Sequence, residues 1–153
     1  MQVQRNHHRL PRDQLNQIAA AYKNAAADGS TLPGTMQILI EQHKVADFTG
    51  DQKKQVRTAI DSLLGKEFNT RFNATPGELR VIQNNYGGQA ALNKVAYLHP
   101  EAKDPAVQGL LAQTYATLMN NRDILVNAKI TDKATLNGTF QEGLRAIRGA
   151  AAK

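Results

Sequence analysis

The chain has 153 residues, a formal net charge of +6 at pH 7 and no cysteine. This length is typical of a single domain that buries about two-thirds of the surface exposed by its unfolded chain. The absence of cysteine excludes disulfides, thiolate metal sites and cysteine nucleophiles. The positive charge is compatible with an anionic partner, but it bears on solubility and non-specific binding and does not identify a function.

We expect a soluble protein, since no apolar run approaches the roughly 18 residues that a membrane-spanning helix needs. Residues 1–11 are polar and basic and lack the apolar centre of a signal peptide. The protein is therefore predicted to be cytoplasmic or to be exported without a classical signal peptide. Alanine and glutamine are abundant, and both favour helices.

The N-terminal third is predicted to hold a flexible basic arm, residues 1–11, and two helices. The first helix is expected from Arg12 to Ala27, where apolar residues recur on one face and Gly29 follows as a C-terminal cap. Pro33 and Gly34 are predicted to open a short helix that carries Met36, Leu39, Ile40 and His43.

Two capping boxes predict the next helix starts, at Thr49-Gly-Asp-Gln52 and Thr75-Pro-Gly-Glu78. In each, the Thr hydroxyl can accept from the third helical amide while the Gln or Glu side chain accepts from the Thr amide. Their helices carry one apolar stripe each, formed by Val56, Ile60, Leu63 and Leu64 up to about Phe68, and by Leu79, Ile82 and Tyr86.

A further helix is predicted from Gln89 to Leu98, after a break at Gly87 and Gly88 and before the stop at His99-Pro100. Its inward-facing residues are expected to be Ala91, Leu92, Val95 and Leu98.

The longest helix is predicted to start at Asp104-Pro105 and to form the centre of the fold up to Ala128. Its expected apolar stripe consists of Val107, Leu110, Leu111, Thr114, Leu118 and Leu125. The last helix is expected to be capped by Thr131, and residues 149–153 are expected to fray.

These elements predict an all-α fold, a compact bundle of six to seven helices of unequal length in a single domain over residues 12–148. Unequal lengths and several Pro-Gly junctions argue against a regular four-helix bundle.

No residue pattern in the chain predicts catalysis, a metal site or a cofactor. Its two serines, Ser30 and Ser62, lack the Gly-x-Ser-x-Gly context of a nucleophile elbow. The four histidines lack the spacing of helical metal ligands and are assigned surface or capping roles; they are His7, His8, His43 and His99. The carboxylates are spread evenly and form no local pair for acid and base roles.

The strongest candidate surface for an anionic partner is basic. Lys53, Lys54 and Arg57 lie close together on the expected exposed side of one helix. Lys66 and Arg71 extend this group along the chain, and Arg5, Arg9 and Arg12 of the N-terminal segment could join it. Arg145 and Arg148 form a second basic pair near the C-terminus.

Four tyrosines are candidate contacts for a protein partner, because phenol side chains are both apolar and polar. They are Tyr22, Tyr86, Tyr97 and Tyr115, which flank the predicted apolar stripes. Packing at the edge of the core is the alternative for each.

The leading functional hypothesis is a non-enzymatic helical module for protein–protein interaction, such as an adaptor, regulator or bacterial effector domain. Its bacterial origin is inferred from the alanine, glutamine and asparagine bias together with the lack of cysteine. The alternative is nucleic-acid binding through the basic surface. A third hypothesis is an enzyme assembled from distant acidic residues and histidines.

Overall fold

The computed structural model describes residues 31–65 and 76–153. Over these ranges the chain forms six α-helices and one short 3-10 helix, and it contains no strand. The α-helices are α1 (Thr31–Gln42), α2 (Gly50–Leu64), α3 (Pro76–Asn84), α4 (Gln89–Leu98), α5 (Pro105–Asn127) and α6 (Lys133–Ala151), and the 3-10 helix Val45–Asp47 lies between α1 and α2. The predicted all-α bundle of unequal helices is therefore confirmed.

Three sequence predictions lie outside the described residues. They are the basic arm of residues 1–11, the helix from Arg12 to Ala27 and the Thr75 half of the second capping box. The helix that this box was expected to open is present as α3, and Leu79, Ile82 and Tyr86 are buried.

Helix α5 is the centre of the bundle, as its length and composition predict. Every residue from Leu110 to Met119 is buried. The predicted apolar stripe covers only part of this contact surface, because small and polar side chains such as Ala112, Ala116 and Thr117 complete the circumference. A helix surrounded by other helices is buried on all faces and therefore does not show a single stripe.

Local capping chemistry sets several helix starts. The Gln52 amide donates to Thr49 Oγ1 at 3.1 Å and the Thr49 amide donates to Gln52 Oε1 at 2.8 Å, so the first predicted capping box is formed. At the start of α5, Asp104 Oδ1 accepts from the Ala106 amide at 2.8 Å, next to Pro105 in the first turn. Each bond satisfies an amide that has no partner within its helix.

The two ends of α6 differ from their predicted positions. Its N-cap is Asp132, not Thr131, because the Asp132 carboxylate accepts from the Thr135 amide at 3.0 Å and also from the Thr135 hydroxyl. At the other end the helix continues to Ala151, which is buried, so the predicted fraying from Gly149 is wrong for residues 149–151. Packing of this last turn on α2 is a tertiary effect: Arg57 Nη1 donates to the Ala151 carbonyl at 2.8 Å.

A glycine allows α1 to approach α6 closely. A Cβ atom at Gly143 would lie 3.0 Å from both Leu32 Cδ2 and Met36 Cε, whereas a Cβ at Gly138 would have no described neighbour within 4 Å. The two glycines interrupt the same helix in the sequence, but only Gly143 occupies a helix–helix contact.

We expect Thr49→Ala to lower the free energy of unfolding by about 1 kcal/mol, because it removes the capping bond to the Gln52 amide. Urea unfolding measures this change. Thr58→Ala is the matched control on the same helix, since the exposed Thr58 hydroxyl bonds only within the helix, to the Lys54 carbonyl, and it should change stability by less than about 0.5 kcal/mol. Equal losses in the two variants would contradict the capping role.

We expect the two glycines of α6 to respond in opposite directions to larger side chains. Gly138→Ala should raise the free energy of unfolding by about 0.5 to 1 kcal/mol, because alanine favours the helix and meets no described neighbour. Gly143→Leu should lower it by about 1 to 3 kcal/mol, because the side chain would displace Leu32 and Met36. Thermal and urea unfolding test this, and a stabilised Gly143→Leu variant would disprove the close contact.

Candidate functional site

An open cleft of about 520 Å³ lies between α1, the 3-10 helix, α2 and α6. Three cationic side chains line it, Lys53, Arg145 and Lys153. Its apolar wall consists of Ile40, Ala46, Ala146 and Ala150, and Gln37 and Gly149 complete the lining. The cleft therefore combines positive charge with an apolar surface.

Small residues on α6 create the space for this cleft. Arg145 and Gly149 are four residues apart, as are Ala146 and Ala150, so the two pairs form adjacent rows on one side of the helix. Leu144, on the neighbouring side, is buried in the core. Because alanine and glycine project little beyond the backbone, the side of α6 that carries Ala146, Gly149 and Ala150 leaves space for the cleft.

Two acidic residues of α2 bond to other residues of the described chain. Asp61 of α2 pairs with Arg148 of α6, and its second oxygen accepts from Arg148 Nη2 at 3.3 Å. Asp51, one turn before Lys54, accepts from Gln55 Nε2 at 2.9 Å. No Asp or Glu side chain among the described residues lines the cleft. The charged side chains that line it are therefore all cationic.

The residues of the predicted basic surface have different environments. Lys53 is half-buried and lines the cleft, Lys54 is exposed outside it, and Arg57 donates to the Ala151 carbonyl. The other five candidates lie outside the described residues: Lys66, Arg71, Arg5, Arg9 and Arg12. Of the second basic pair, Arg145 lines the cleft and Arg148 pairs with Asp61.

Burial removes two tyrosines from the predicted protein contacts. Tyr86 and Tyr115 are 4% and 1% exposed, so the structure corrects their assignment to a contact surface. Tyr97 is 76% exposed, and the Lys94 ammonium lies 5.8 Å from its ring centroid. Tyr97 does not line the cleft, and Tyr22 lies outside the described residues.

Two histidines bond to the central helix. His43 Nε2 lies 2.6 Å from Gln113 Oε1, and His99 Nε2 lies 2.7 Å from the Tyr115 hydroxyl. His99 is the C-terminal cap of α4, in agreement with the predicted capping role. Its ring is buried, so the alternative prediction of a surface role is wrong for this residue. Sequence patterns cannot reveal these pairs, because the bonded residues are distant along the chain.

The structure brings one carboxylate close to a buried histidine. Glu101 Oε1 lies 3.5 Å from His99 Nδ1. His99 does not line the cleft, so this pair is not placed where a substrate in the cleft would meet it. Within residues 31–65 and 76–153, no group of three His, Asp or Glu side chains could hold a metal ion.

A polar cluster of Arg80, Gln83, Asn120 and Asp123, the Asp123 cluster, joins α3 to α5. Arg80 donates two hydrogen bonds to Asp123, at 2.6 and 2.8 Å, and Gln83 Nε2 donates to Asp123 and Asn120. Burial raises the pKa of Asp123, but the hydrogen bonds from Arg80 and Gln83 and the nearby positive charge outweigh it and hold that pKa below its ordinary value. This cluster fixes two helices and leaves no carboxylate oxygen of Asp123 unbonded.

Comparison of the chain with models of protein families, with curated proteins and with solved structures finds no match. None of the described helices combines the length and the apolar character that crossing a membrane requires.

We expect the Asp123 cluster to make stability depend on pH in the acid range. A carboxyl whose folded pKa is lowered stabilises the fold above its unfolded pKa of about 3.9, and this contribution is lost as the pH falls through the folded value. Because Arg80 and Asp123 are each more than one-third exposed, the contribution should stay below about 1 kcal/mol.

Urea unfolding of the wild type and Asp123→Asn measures this dependence. The stability difference should be constant near neutral pH and should shrink below about pH 4. Glu142→Gln, at an exposed position of α6, is the control for replacing a carboxylate by an amide. A difference for Asp123→Asn that stays constant through the acid range would contradict the cluster's role.

Proposed function

We propose that the protein is a non-enzymatic helical module that binds another protein in the cleft between α1, α2 and α6. One observation carries this proposal: an open cleft with an apolar wall and a cationic rim is built by four elements of the fold and is left unfilled by the described chain. Protein interfaces combine an apolar centre with a polar rim in this way.

The openness of the cleft favours a protein segment over a small molecule. Its volume falls within the range of about 300 to 1,000 Å³ seen for ligand sites. A small-molecule site, however, encloses most of its ligand, and an open cleft leaves one side of any occupant in contact with solvent. Side chains of a partner can fill such a cleft while the partner's backbone stays outside it.

Nucleic-acid binding is the second candidate, because Lys54 is exposed beside Lys53 at the start of α2. Phosphate binding of this kind uses several cations that are free to reach the backbone. Here Arg57 donates to a carbonyl and Arg148 pairs with Asp61, while the apolar wall of the cleft offers nothing to a phosphate. These contacts favour a protein partner.

The proposal is tested by affinity capture of the full chain from an extract of the cells that produce it, at low and high salt, with and without nuclease. The wild type should retain a protein partner in all four conditions. Ala146→Arg, which fills the cleft, should lose that partner, whereas Ala134→Arg, an exposed position on the same helix, should retain it.

Two outcomes would contradict the proposal. Retention of the partner by Ala146→Arg would place its binding site outside the cleft. Recovery of nucleic acid that disappears at high salt, together with loss of the proteins after nuclease treatment, would support the second candidate instead. Circular dichroism and thermal unfolding of both variants check that each one is folded.

A further inference from the structure

The three cations that line the cleft, Lys53, Arg145 and Lys153, form no ion pair with a described residue, unlike Arg148 of α6. Arg57 and Arg148 lie on the same two helices, α2 and α6, and bond to the Ala151 carbonyl and to Asp61. Lys53 and Arg145 form no ion pair with any described residue, and both line the cleft. Within residues 31–65 and 76–153, the chain thus supplies no acidic partner for these two cations, one from each helix.

The positions of these two cations favour an anionic group within the cleft. Lys53 is half-buried, so its aliphatic stem packs on the protein and the range of its ammonium is restricted. Arg145 can donate two parallel hydrogen bonds to one carboxylate.

The apolar wall narrows the class of anion. Ile40, Ala46, Ala146 and Ala150 present hydrocarbon beside the two cations. Inorganic phosphate or a nucleic-acid backbone would leave this surface without a partner, whereas a polypeptide can supply aliphatic side chains next to acidic ones. The small side chains of Ala146 and Ala150 also let a segment of backbone approach α6 closely.

We propose that the cleft binds a segment of a partner protein that carries Asp or Glu beside aliphatic residues, with its carboxylates bound by Lys53 and Arg145. This inference rests on the proposed function, since it names the chemistry of the partner of that same cleft. Electrostatic complementarity then selects the partner and speeds association, and the apolar contacts add to affinity.

The test is selection from a random peptide library displayed on phage, with the full-length protein as the target. The selected peptides should be enriched in Asp and Glu next to Leu, Ile or Val. In fluorescence anisotropy, Lys53→Glu and Arg145→Glu should each weaken their binding by about tenfold or more. Lys54→Glu is the matched control, because it makes the same charge change on α2 outside the cleft, and it should change binding by less than about threefold.

Charge reversal gives a second measurement that does not depend on loss of binding. The double variant Lys53→Glu/Arg145→Glu should bind a selected peptide better after its acidic residues are replaced by lysine. Unchanged thermal unfolding of the variants shows that any loss of binding is not a loss of fold.

The outcomes separate this inference from the proposed function. Peptides that bind the cleft without acidic residues, or acidic peptides that bind both cleft variants as tightly as the wild type, would overturn the inference alone. If every selected peptide binds Ala146→Arg as tightly as it binds the wild type, the peptides do not occupy the cleft. That result would overturn the cleft as a peptide site, and with it the proposed function. Equal binding of a single-stranded oligonucleotide or of inorganic phosphate, lost in the same variants, would show a general anion site and would also overturn the inference.

Discussion

All five other described helices contact α5, and the arrangement of the fold depends on the burial of its middle, from Leu110 to Met119. Because Leu110 to Met119 have neighbours on every side, a change in the packing of one surrounding helix affects the same central element. α6 contacts α5, α1 and α2, and it thereby places the wall of the cleft relative to the core. The cleft lies where α1, α2 and α6 meet, and the small residues of α6 leave its space open.

Hydrogen bonds from polar side chains of α5 fix the orientation of three surrounding helices, α1, α4 and α6. Gln113 bonds to His43 after α1, Tyr115 bonds to His99 at the end of α4, and Asn121 donates to Thr139 of α6 at 3.2 Å. A buried polar group without a partner is costly, so these bonds penalise other rotations of the helices about α5. Gln113 Nε2 has no partner among the described residues and is the exception within this group.

Local chemistry explains why much of the helical architecture was predictable. α4 was expected over Gln89 to Leu98 and has these bounds, and the starts of α2 and α5 follow from Thr49 and Asp104. Each of these features depends on residues within four positions of one another, and such contacts form in any surrounding fold. The shift of the α6 cap to Asp132 has the same origin, since Thr131 and Asp132 are adjacent residues that can both act as caps.

The sequence by itself therefore determined the helical class, both ends of α4 and the starts of α2, α3 and α5, whereas α2 was predicted to reach about Phe68 and ends at Leu64. Tertiary structure decided which cations remain available: Arg57 and Arg148 bond within the protein, whereas Lys53 and Arg145 line the cleft. It also buried Tyr86 and Tyr115, along with the ring of His99, and extended α6 to Ala151. The physical reason is distance along the chain, because these contacts join residues on different helices and depend on how whole helices pack, which no local pattern encodes.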